Sequence, residues 1–377
     1  MDVYLAKASY TPPSEASATL SLPAMPFELF DALDKARVMQ GDELYFEVLD
    51  YYAFQYMSPF IADSTNLLEI NALCQKLSEL DERQATAFEG LLKIEVAKKD
   101  GPISIGRLID LAYSTEGCQV VYEATSDETL GRFYAENGFI PELENLPESV
   151  CEMLNFAYIG KKMRLDEGGV FTQNGYVLQH DELAEVYKNM DFTMRTPDYQ
   201  ILIEDTTGNR FELPRQKLAS EEKYTCIDCR IPMLMEAIGA AEIHEINDFA
   251  ELLKEMGDKS AWKFKAVLNA TGCDSLEGAV TLSRHLDEYM LNSKVSSFAE
   301  IGRSEIKNLL GDNDMGLLTQ CLNLYSYGME LMKRDNAALT PYGHLVRCDY
   351  QPLTQSVERS DHIADLEEKS RMGMEMN

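Results

Sequence analysis

Two cysteines, Cys226 and Cys229, are the residues whose spacing most resembles a reaction centre, because they form the one CxxC pair in the chain. Thiols at that spacing can bind zinc or cycle between dithiol and disulfide, but a structural zinc site needs two further ligands at compatible spacing. The nearest histidine in the sequence, His244, stands alone. We therefore interpret the pair as two half-buried thiols on a strand, and we predict neither a metal site nor a cofactor.

Other signatures of catalysis are missing or incomplete in the sequence. None of the five histidines belongs to an HExxH pattern, there is no GxSxG, and no glycine-rich loop follows a predicted strand. Residues 130–139, LGRFYAENGF, resemble the helix and NGF ending of N-acetyltransferases, but no glycine-rich loop that could hold a pyrophosphate precedes them. A simpler interpretation is a helix closed by Asn137 and Gly138, with Phe139 in the core. The sequence predicts that the protein is not an enzyme.

Carboxylates are the chemical groups that the sequence does concentrate. The chain of 377 residues has 64 Asp and Glu against 34 Lys and Arg, so its net charge is −30 at pH 7. This balance argues against binding to nucleic acid or anionic lipid, since both need a basic surface. The excess is densest between residues 116 and 152, where Arg132 is the one cation. The nine acidic residues of this stretch are Glu116, Glu123, Asp127, Glu128, Glu136, Glu142, Glu144, Glu148 and Glu152.

Two interpretations of this acidic stretch are open. Solvated acidic helix faces keep many proteins in solution. Like charges on a compact body also repel one another and destabilise the fold, so an excess of this size suggests a use. One use is imitation of DNA. B-DNA carries one negative charge per roughly 1.7 Å of axis, so the net charge of −30 corresponds to roughly 50 Å, or about fifteen base pairs.

A cytoplasmic location is the simplest expectation from the sequence. The first residues, MDVYLAKASYTPPSEAS, lack a basic segment followed by an apolar run, so they do not resemble a secretion signal. No stretch approaches the roughly 20 uninterrupted apolar residues of a membrane span. The eight cysteines lie far apart, unlike those of a small disulfide-linked domain. We expect a protein of the reducing cytoplasm with no membrane partner.

Two stretches of the chain repeat. A shift of 176 positions aligns residues 69–71 (EIN) with residues 245–247 and gives eight identities in 27 ungapped columns. A shift of 168 positions aligns residues 154–155 (LN) with residues 322–323 and gives five identities in another 27 columns. Average composition predicts roughly three identities over both stretches. The common order of the two matches indicates a tandem duplication. The second copy is less acidic, since the window that matches the acidic stretch has a net charge of −2 against −8.

Each copy has the pattern of small α+β units around a helical middle section. In copy one a helix with an apolar stripe begins near Asn66, and a capping box of Asp81 and Gln84 predicts the start of the next helix. Further helices are predicted at 105–113, 129–137 and 149–158, and strands at 44–48, 119–122, 175–178 and 199–204.

The predicted fold is an elongated multi-domain α+β protein of two tandem copies. In copy one the units are an α+β unit at 1–62, a helical middle at 63–100 and an acidic α+β unit at 101–190. In copy two they are a shortened α+β unit at 191–240, a helical middle at 241–272 and an α+β unit at 273–350. The polar, Met-rich residues 351–377 are predicted to be a disordered tail.

Copy one resembles the ArdA antirestriction proteins of mobile elements. The resemblance rests on the order of several motifs within roughly residues 1 to 180: EINALCQKLSELDERQ at 69–84, FYAENG at 133–138, LPE at 146–148, FAYIG at 156–160, GVFT at 169–172 and GYV at 175–177. The resemblance implies an elongated, acidic, three-part α+β protein that dimerises and mimics bent B-form DNA. It also implies occupancy of the DNA-binding cleft of Type I restriction-modification enzymes. Family members are usually about half this length, and copy two resembles them only distantly.

The resemblance also implies a region for self-association, which is here about Leu146 to Lys161. Lys161, Lys162 and Arg164 make the end of this region more basic than a perfect mimic would be. If the duplication fuses two protomers into a single-chain pseudo-dimer, two apolar groups meet: Leu154, Phe156 and Tyr158 from copy one, and Leu322, Leu324 and Tyr327 from copy two. Alternatively, copy one alone carries the mimic and copy two is a partner-binding appendage.

The predicted function is therefore antirestriction by occupancy, without chemistry. The partner would be a Type I restriction-modification enzyme, and association into a homodimer is open. The alternative is a non-mimic inhibitor of another bacterial defence system that binds protein through apolar patches. Binding that is insensitive to salt would favour the alternative.

Overall fold

The computed structural model describes residues 1–7, 16–39, 41–61, 66–98, 101–143, 147, 150, 153–216, 223–310 and 321–354. The fold is mixed α+β with four small three-stranded sheets among these residues. None of the helices in these ranges combines the length and the apolar composition needed to cross a membrane. From residue 355 onward, the tail predicted at 351–377 lies outside the described residues.

The chain divides into two compact units. The first unit contains Met1–Val3, Ser21–Ala24 and Val48–Met194, and the second contains Tyr4–Leu20, Met25–Glu47 and Arg195–Asn377. Most of the amino-terminal segment therefore packs with the second half of the chain. The predicted division of the chain into seven segments stays a prediction.

The amino-terminal sheet consists of β1 (Asp2–Lys7), β2 (Ser17–Ser21) and β3 (Leu44–Asp50), in the order β2-β1-β3. Helix α1 (Pro26–Lys35) lies between β2 and β3 in sequence and begins with proline. Proline suits a first helical position because the N–H that it lacks would have no partner there. The strand predicted at 44–48 is confirmed.

Two capped helices begin the main part of the first unit. Helix α2 (Leu67–Ser78) starts where the Asn66 side chain accepts a hydrogen bond from the backbone N–H of Leu68 at 2.8 Å. Helix α3 (Glu82–Lys98) starts at the predicted capping box, in which Asp81 Oδ1 accepts from the N–H of Gln84 at 2.7 Å and Gln84 Oε1 accepts from the N–H of Asp81 at 2.9 Å. Both predicted helices are confirmed, because local side chains satisfy N–H groups that a helix start leaves without partners.

The acidic α+β part of the first unit follows these helices. Its elements are α4 (Ile105–Tyr113), β4 (Cys118–Tyr122), α5 (Asp127–Glu136), α6 (Phe156–Glu167), β5 (Val170–Phe171) and β6 (Gly175–Gln179). The strands pair antiparallel in the order β4-β6-β5, with Val120 and Val170 both opposite Val177. The helix predicted at 105–113 and the strands predicted at 119–122 and 175–178 are confirmed.

Two details of this part correct the sequence analysis. The helix predicted at 149–158 is not continuous: residues 153–155 are not helical, and Asn155 caps α6 by accepting from the N–H of Tyr158 at 3.0 Å, while residues 149, 151 and 152 lie outside the described residues. Gly138 does close α5 in the left-handed conformation, with φ of 74°, as predicted. Phe139, however, is 52% exposed and stacks on Phe133 at 5.6 Å instead of lying in the core.

The carboxyl-terminal part of the second unit begins with β7 (Ile201–Asp205), β8 (Arg210–Leu213) and β9 (Tyr224–Cys229), in the order β8-β7-β9. The strand predicted at 199–204 is thus confirmed within two residues. The next elements are α7 (Met235–Ala240), α8 (Ile243–Glu255), α9 (Asp258–Thr271), α10 (Leu276–Arg284), β10 (Tyr289–Asn292), α11 (Phe298–Leu310), α12 (Leu324–Arg334), β11 (Ala338–Thr340) and β12 (Gly343–Arg347). The last three strands pair in the order β10-β12-β11.

From α8 to β12 the second unit runs through the same order of elements as the first unit does from α2 to β6. In both, the last strand lies in the middle of its sheet. In both, two helices cross at a pair of glycines. An added Cβ would lie 1.9 Å from a backbone oxygen at Gly131 and at Gly160, and 2.4 and 1.8 Å from one at Gly302 and Gly328. These crossings leave no room for a side chain.

An asparagine contact also occurs in both units. Asn71 Oδ1 accepts a hydrogen bond from the N–H of Ala24 at 2.8 Å, and Asn247 Oδ1 accepts from the N–H of Arg215 at 2.8 Å. Ala24 and Arg215 each follow a Leu-Pro pair at the end of a strand. Each asparagine thus fixes a strand end to the first helix of its helical section.

Candidate acidic interface

The predicted acidic residues lie on successive elements of the first unit. Glu116 lies in a short turn before β4, and Glu123 directly follows β4. Asp127, Glu128 and Glu136 belong to α5. Glu142 lies in a turn at Pro141–Leu143, while Glu144, Glu148 and Glu152 lie outside the described residues. Of the six that are described, Asp127 is partly buried and the other five are exposed.

Helix α5 is oriented by the contacts of its buried face. Leu130, Gly131 and Tyr134 are buried, and Gly131 lies against the backbone of α6. The opposite face presents Glu128, Arg132 and Glu136, which are four residues apart and therefore form one stripe. Packing of the small and apolar residues thus exposes two carboxylates with one guanidinium between them.

Three of these six carboxylates have cation partners. Arg83 on α3 pairs with Glu116 at 2.7 Å, Arg164 on α6 pairs with Asp127 at 2.8 Å, and Arg132 pairs with Glu128 at 3.4 Å. Arg83 and Arg164 are distant in sequence, so the count of charges along the acidic stretch missed both. The local field is weaker than the sequence analysis suggested, because opposite charges within the Debye length of about 8 Å offset each other.

Asp127 accepts two hydrogen bonds from one arginine. Arg164 donates to Asp127 through Nε at 2.8 Å and through a terminal nitrogen at 3.3 Å. This fork of hydrogen bonds lowers the pKa of Asp127 below its ordinary value, since a bonded guanidinium favours the charged form. Asp127 therefore stabilises the contact between α5 and α6 as well as contributing charge.

Glu123, Glu136 and Glu142 are exposed, and none of them pairs with a cation among the described residues. Glu123 has a left-handed backbone with φ of 64°, which is uncommon outside glycine. Its N–H donates to the carbonyl of Asn174 at 3.1 Å, so this turn is fixed to the neighbouring strand connection. These three residues are the strongest candidates for a free anionic surface.

The structure adds two carboxylates that the sequence analysis did not select. Asp181 and Glu182 follow β6 and are both exposed. A Cβ placed on Gly117 would lie 2.8 Å from the Cβ of Asp181, so Asp181 lies beside the residue that follows Glu116. The pairing of β4 with β6 brings these acids to one end of the sheet. Asp181 and Glu182 are distant in sequence from the acidic stretch, but the pairing of β6 with β4 brings this end of β6 beside it.

The predicted apolar patch does not lie on the surface as one set. Leu154 and Phe156 are partly buried, whereas Tyr158 is 68% exposed. Leu322 is exposed, but Leu324 is buried, and Tyr327 packs against the core formed by Val295, Ile301, Leu331 and Met332. Leu324 opens α12 at its crossing with α11, which places it inside the second unit. A role of these residues in association of the two copies stays a prediction.

Cys226 and Cys229 are more deeply buried in β9 than the half-buried state that was predicted. Burial raises the pKa of the Cys226 thiol to about 12 and that of Cys229 well above its ordinary value. Burial therefore favours the protonated thiol of both residues over the reactive thiolate. Within the described ranges, no three His, Cys, Asp or Glu side chains are grouped so that they could hold a metal ion.

A buried ionic cluster in the second unit was also missed by the sequence analysis. The ammonium of Lys265 lies 2.8 Å from Asp31 Oδ1 and 2.9 Å from Asp34 Oδ2, and its side chain is 6% exposed. The hydroxyl of Tyr342 donates to Asp31 Oδ1 at 2.9 Å. Burial opposes the charge of Asp31, but the ammonium of Lys265 holds the pKa of this carboxyl below its ordinary value. The cluster fixes α1 to α9.

Comparisons with protein-family models and with curated proteins returned no match to this chain. The resemblance to ArdA proteins therefore rests on the motifs of the sequence alone.

Proposed function

We propose that this protein is an antirestriction protein that acts as an acidic mimic of DNA. It would occupy the DNA-binding cleft of a Type I restriction-modification enzyme inside the cell and so prevent DNA from binding. The observation that carries the proposal is the series of exposed carboxylates on the first unit, from Glu116 to Glu142, in a chain with a net charge of −30.

To occupy a basic cleft, the protein needs only an electrostatic potential that is complementary to the potential of the cleft. The acidic face would attract the cleft at long range and raise the association rate, as charged partners do in general. A restriction enzyme contacts many phosphates, so its affinity for a mimic should fall with rising salt as its affinity for DNA does. The proposed mechanism includes no bond making or breaking and no cofactor.

We propose in addition that the chain is a tandem duplication, in which residues 1–190 and 191–350 are copies of one ancestral segment. Three observations support a duplication: the common order of elements, the paired glycines at the helix crossings, and the contacts of Asn71 and Asn247. Asn71 and Asn247 belong to the EIN segments that match in sequence at a shift of 176. In this view the first copy, which is the more acidic, carries the mimic.

The decisive experiment is competition with DNA for a purified Type I methyltransferase core at two salt concentrations. The test variant replaces Glu123, Glu136 and Glu142 with Gln. Each exposed ion pair is worth roughly 0.2–1 kcal/mol, so the loss of three should weaken inhibition by roughly 0.6–3 kcal/mol, which is about three- to 150-fold. The salt dependence of inhibition should also become less steep by about three contacts.

A charge-control variant makes the test specific. It replaces Glu236, Glu255 and Asp287, which are exposed on the second unit, with Gln, Gln and Asn. The net charge of the chain changes by the same amount, but inhibition should stay within about twofold of the original protein. Equal loss of inhibition in both variants, or none in either, would refute the assignment of the mimic to the first unit.

The alternative function, inhibition by an apolar protein contact, has one observation in its favour. Tyr158 and Leu165 on α6 are 68% and 65% exposed and lie seven residues apart, on one side of the helix. Exposed apolar side chains on one helix side are typical of contact surfaces. Inhibition that persists at high salt and is lost when both residues become Ser would favour this alternative over mimicry.

A further inference from the structure

The second unit contains an open groove between α7, α8 and α10. Its volume is about 960 Å³. The floor is apolar and consists of Phe249, Leu252, Leu276 and Val280. No described residue fills it, which leaves apolar surface in contact with solvent next to a well-packed core.

The rim of this groove is strongly acidic. It carries Glu245, Asp248, Asp274 and Glu277, all exposed, and one cation, Arg284. Four carboxylates around an apolar floor favour a ligand with an apolar centre and positive charge at its edges, because charge complementarity guides and orients association.

The corresponding position in the first unit is filled by the chain itself. There the space beside α2 and α4 holds Tyr187, whose ring lies so close to Gly106 that an added Cβ would be 2.7 Å away. The hydroxyl of Tyr187 donates to Glu69 Oε1 at 2.5 Å. The backbone N–H groups of Val186 and Tyr187 donate to Asp110 Oδ1 at 2.8 and 2.9 Å. A short segment that ends in a 3-10 turn at Tyr187–Asn189, with Tyr187 as its aromatic anchor, thus fits between these helices.

The groove of the second unit keeps part of this arrangement and changes the rest. Glu245 is the third residue of α8, as Glu69 is of α2. Glu277, the second residue of α10, stands where α4 has Gly106. A carboxylate therefore replaces the surface on which the Tyr187 ring packs, so the groove is better suited to a cationic side chain at this point.

We propose that this groove binds a short cationic segment of a partner protein. An apolar or aromatic side chain would pack on Leu252 and Val280, and Lys or Arg side chains would lie beside the rim carboxylates. The proposal concerns the second unit and does not depend on mimicry of DNA by the first. Residues 355–377 of this chain are a poorer match, because their six acidic residues exceed their three Lys and Arg. A second copy of the chain is disfavoured by its own net charge of −30.

The test uses the full chain and a fluorescein-labelled peptide, Ala-Lys-Val-Tyr-Lys-Lys-Leu, with fluorescence anisotropy as the measurement. We expect saturable binding at one site. Replacing Asp248, Asp274 and Glu277 by Asn, Asn and Gln should raise the Kd by about tenfold or more, since three charge contacts are lost. A variant with Asp198→Asn, Glu212→Gln and Asp287→Asn, three exposed acidic residues of the second unit that do not line the groove, is the charge control and should change the Kd by less than about twofold.

A second variant tests the apolar floor. Leu252→Arg with Val280→Arg should abolish binding, while circular dichroism and the thermal unfolding curve show whether the fold is retained. Glu245 is left unchanged because it caps α8 by accepting from the N–H of Glu242.

Several results would overturn the proposal. They are a failure of the peptide to bind, equal weakening in the charge control, and equal binding of a peptide in which Glu replaces each Lys. Binding that occurs only after removal of residues 355–377 would identify the tail as the occupant. Binding that occurs only in a monomer separated from a dimer would identify a second copy.

Discussion

Removal of the Lys265 ammonium should destabilise the second unit strongly. In the variant Lys265→Met, Asp31 and Asp34 lose the cation that lies 2.8 and 2.9 Å away. Asp31 keeps Lys35 at 2.7 Å and the hydroxyl of Tyr342, but Lys35 is partly exposed and reaches the carboxylate from the solvent side. The variant thus leaves two buried or partly buried carboxylates without the cation that they share.

The size of the effect follows from the burial of this cluster. Loss of one partner of a buried ion pair costs about 3–5 kcal/mol, because the remaining charge stays desolvated. We therefore expect the free energy of unfolding of the second unit to fall by about that amount. With a urea dependence of about 2–3 kcal/mol per molar for a unit of this size, the midpoint should fall by roughly 1–2.5 M.

The single tryptophan of the chain makes the measurement selective. Trp262 lies on α9 with Lys265, and its indole N–H donates to the carbonyl of Tyr342 at 3.0 Å. Its fluorescence during urea unfolding therefore reports on the second unit. Lys259→Met, an exposed change on the same helix, is the matched control and should shift the midpoint very little. A loss below about 1 kcal/mol in Lys265→Met would refute the view that this cluster anchors α1.

Three further predictions concern the first unit. Gly131→Ala should lower the thermal stability by about 1–3 kcal/mol despite the better helix propensity of alanine, because its Cβ would lie 1.9 Å from a backbone oxygen; Gly239→Ala, which meets nothing within 4 Å, should be neutral or stabilising. Arg164→Gln should raise the pKa of Asp127 toward its ordinary value in an NMR titration. The ion pair stabilises the fold above the unfolded-state pKa of this carboxyl and loses its effect as the pH falls through the lower folded-state pKa, so the variant should also flatten the acid side of the stability profile. Tyr187→Phe removes one hydrogen bond to α2 and should cost about 1 kcal/mol in thermal unfolding. Unchanged pKa or stability in these variants would contradict the contacts on which the predictions rest.

The sequence by itself determined the elements whose signals are local. The caps at Asn66 and Asp81 act within three residues, so they favour the starts of α2 and α3 without any contact distant in sequence. The apolar stripe of α2 and the strands around 119–122 and 175–178 follow from periodicity and were confirmed. The concentration of carboxylates between residues 116 and 142 is likewise a property of the sequence.

Only the tertiary structure decided which of those carboxylates are free. Arg83 and Arg164 reach Glu116 and Asp127 because α3 and α6 pack beside the acidic segment, and no count along the chain could show this. The same reason explains why Leu324 lies inside the second unit and why α1 pairs with Lys265, 231 residues away from Asp34. Charge and burial depend on neighbours in space, whereas composition and spacing record only neighbours in sequence.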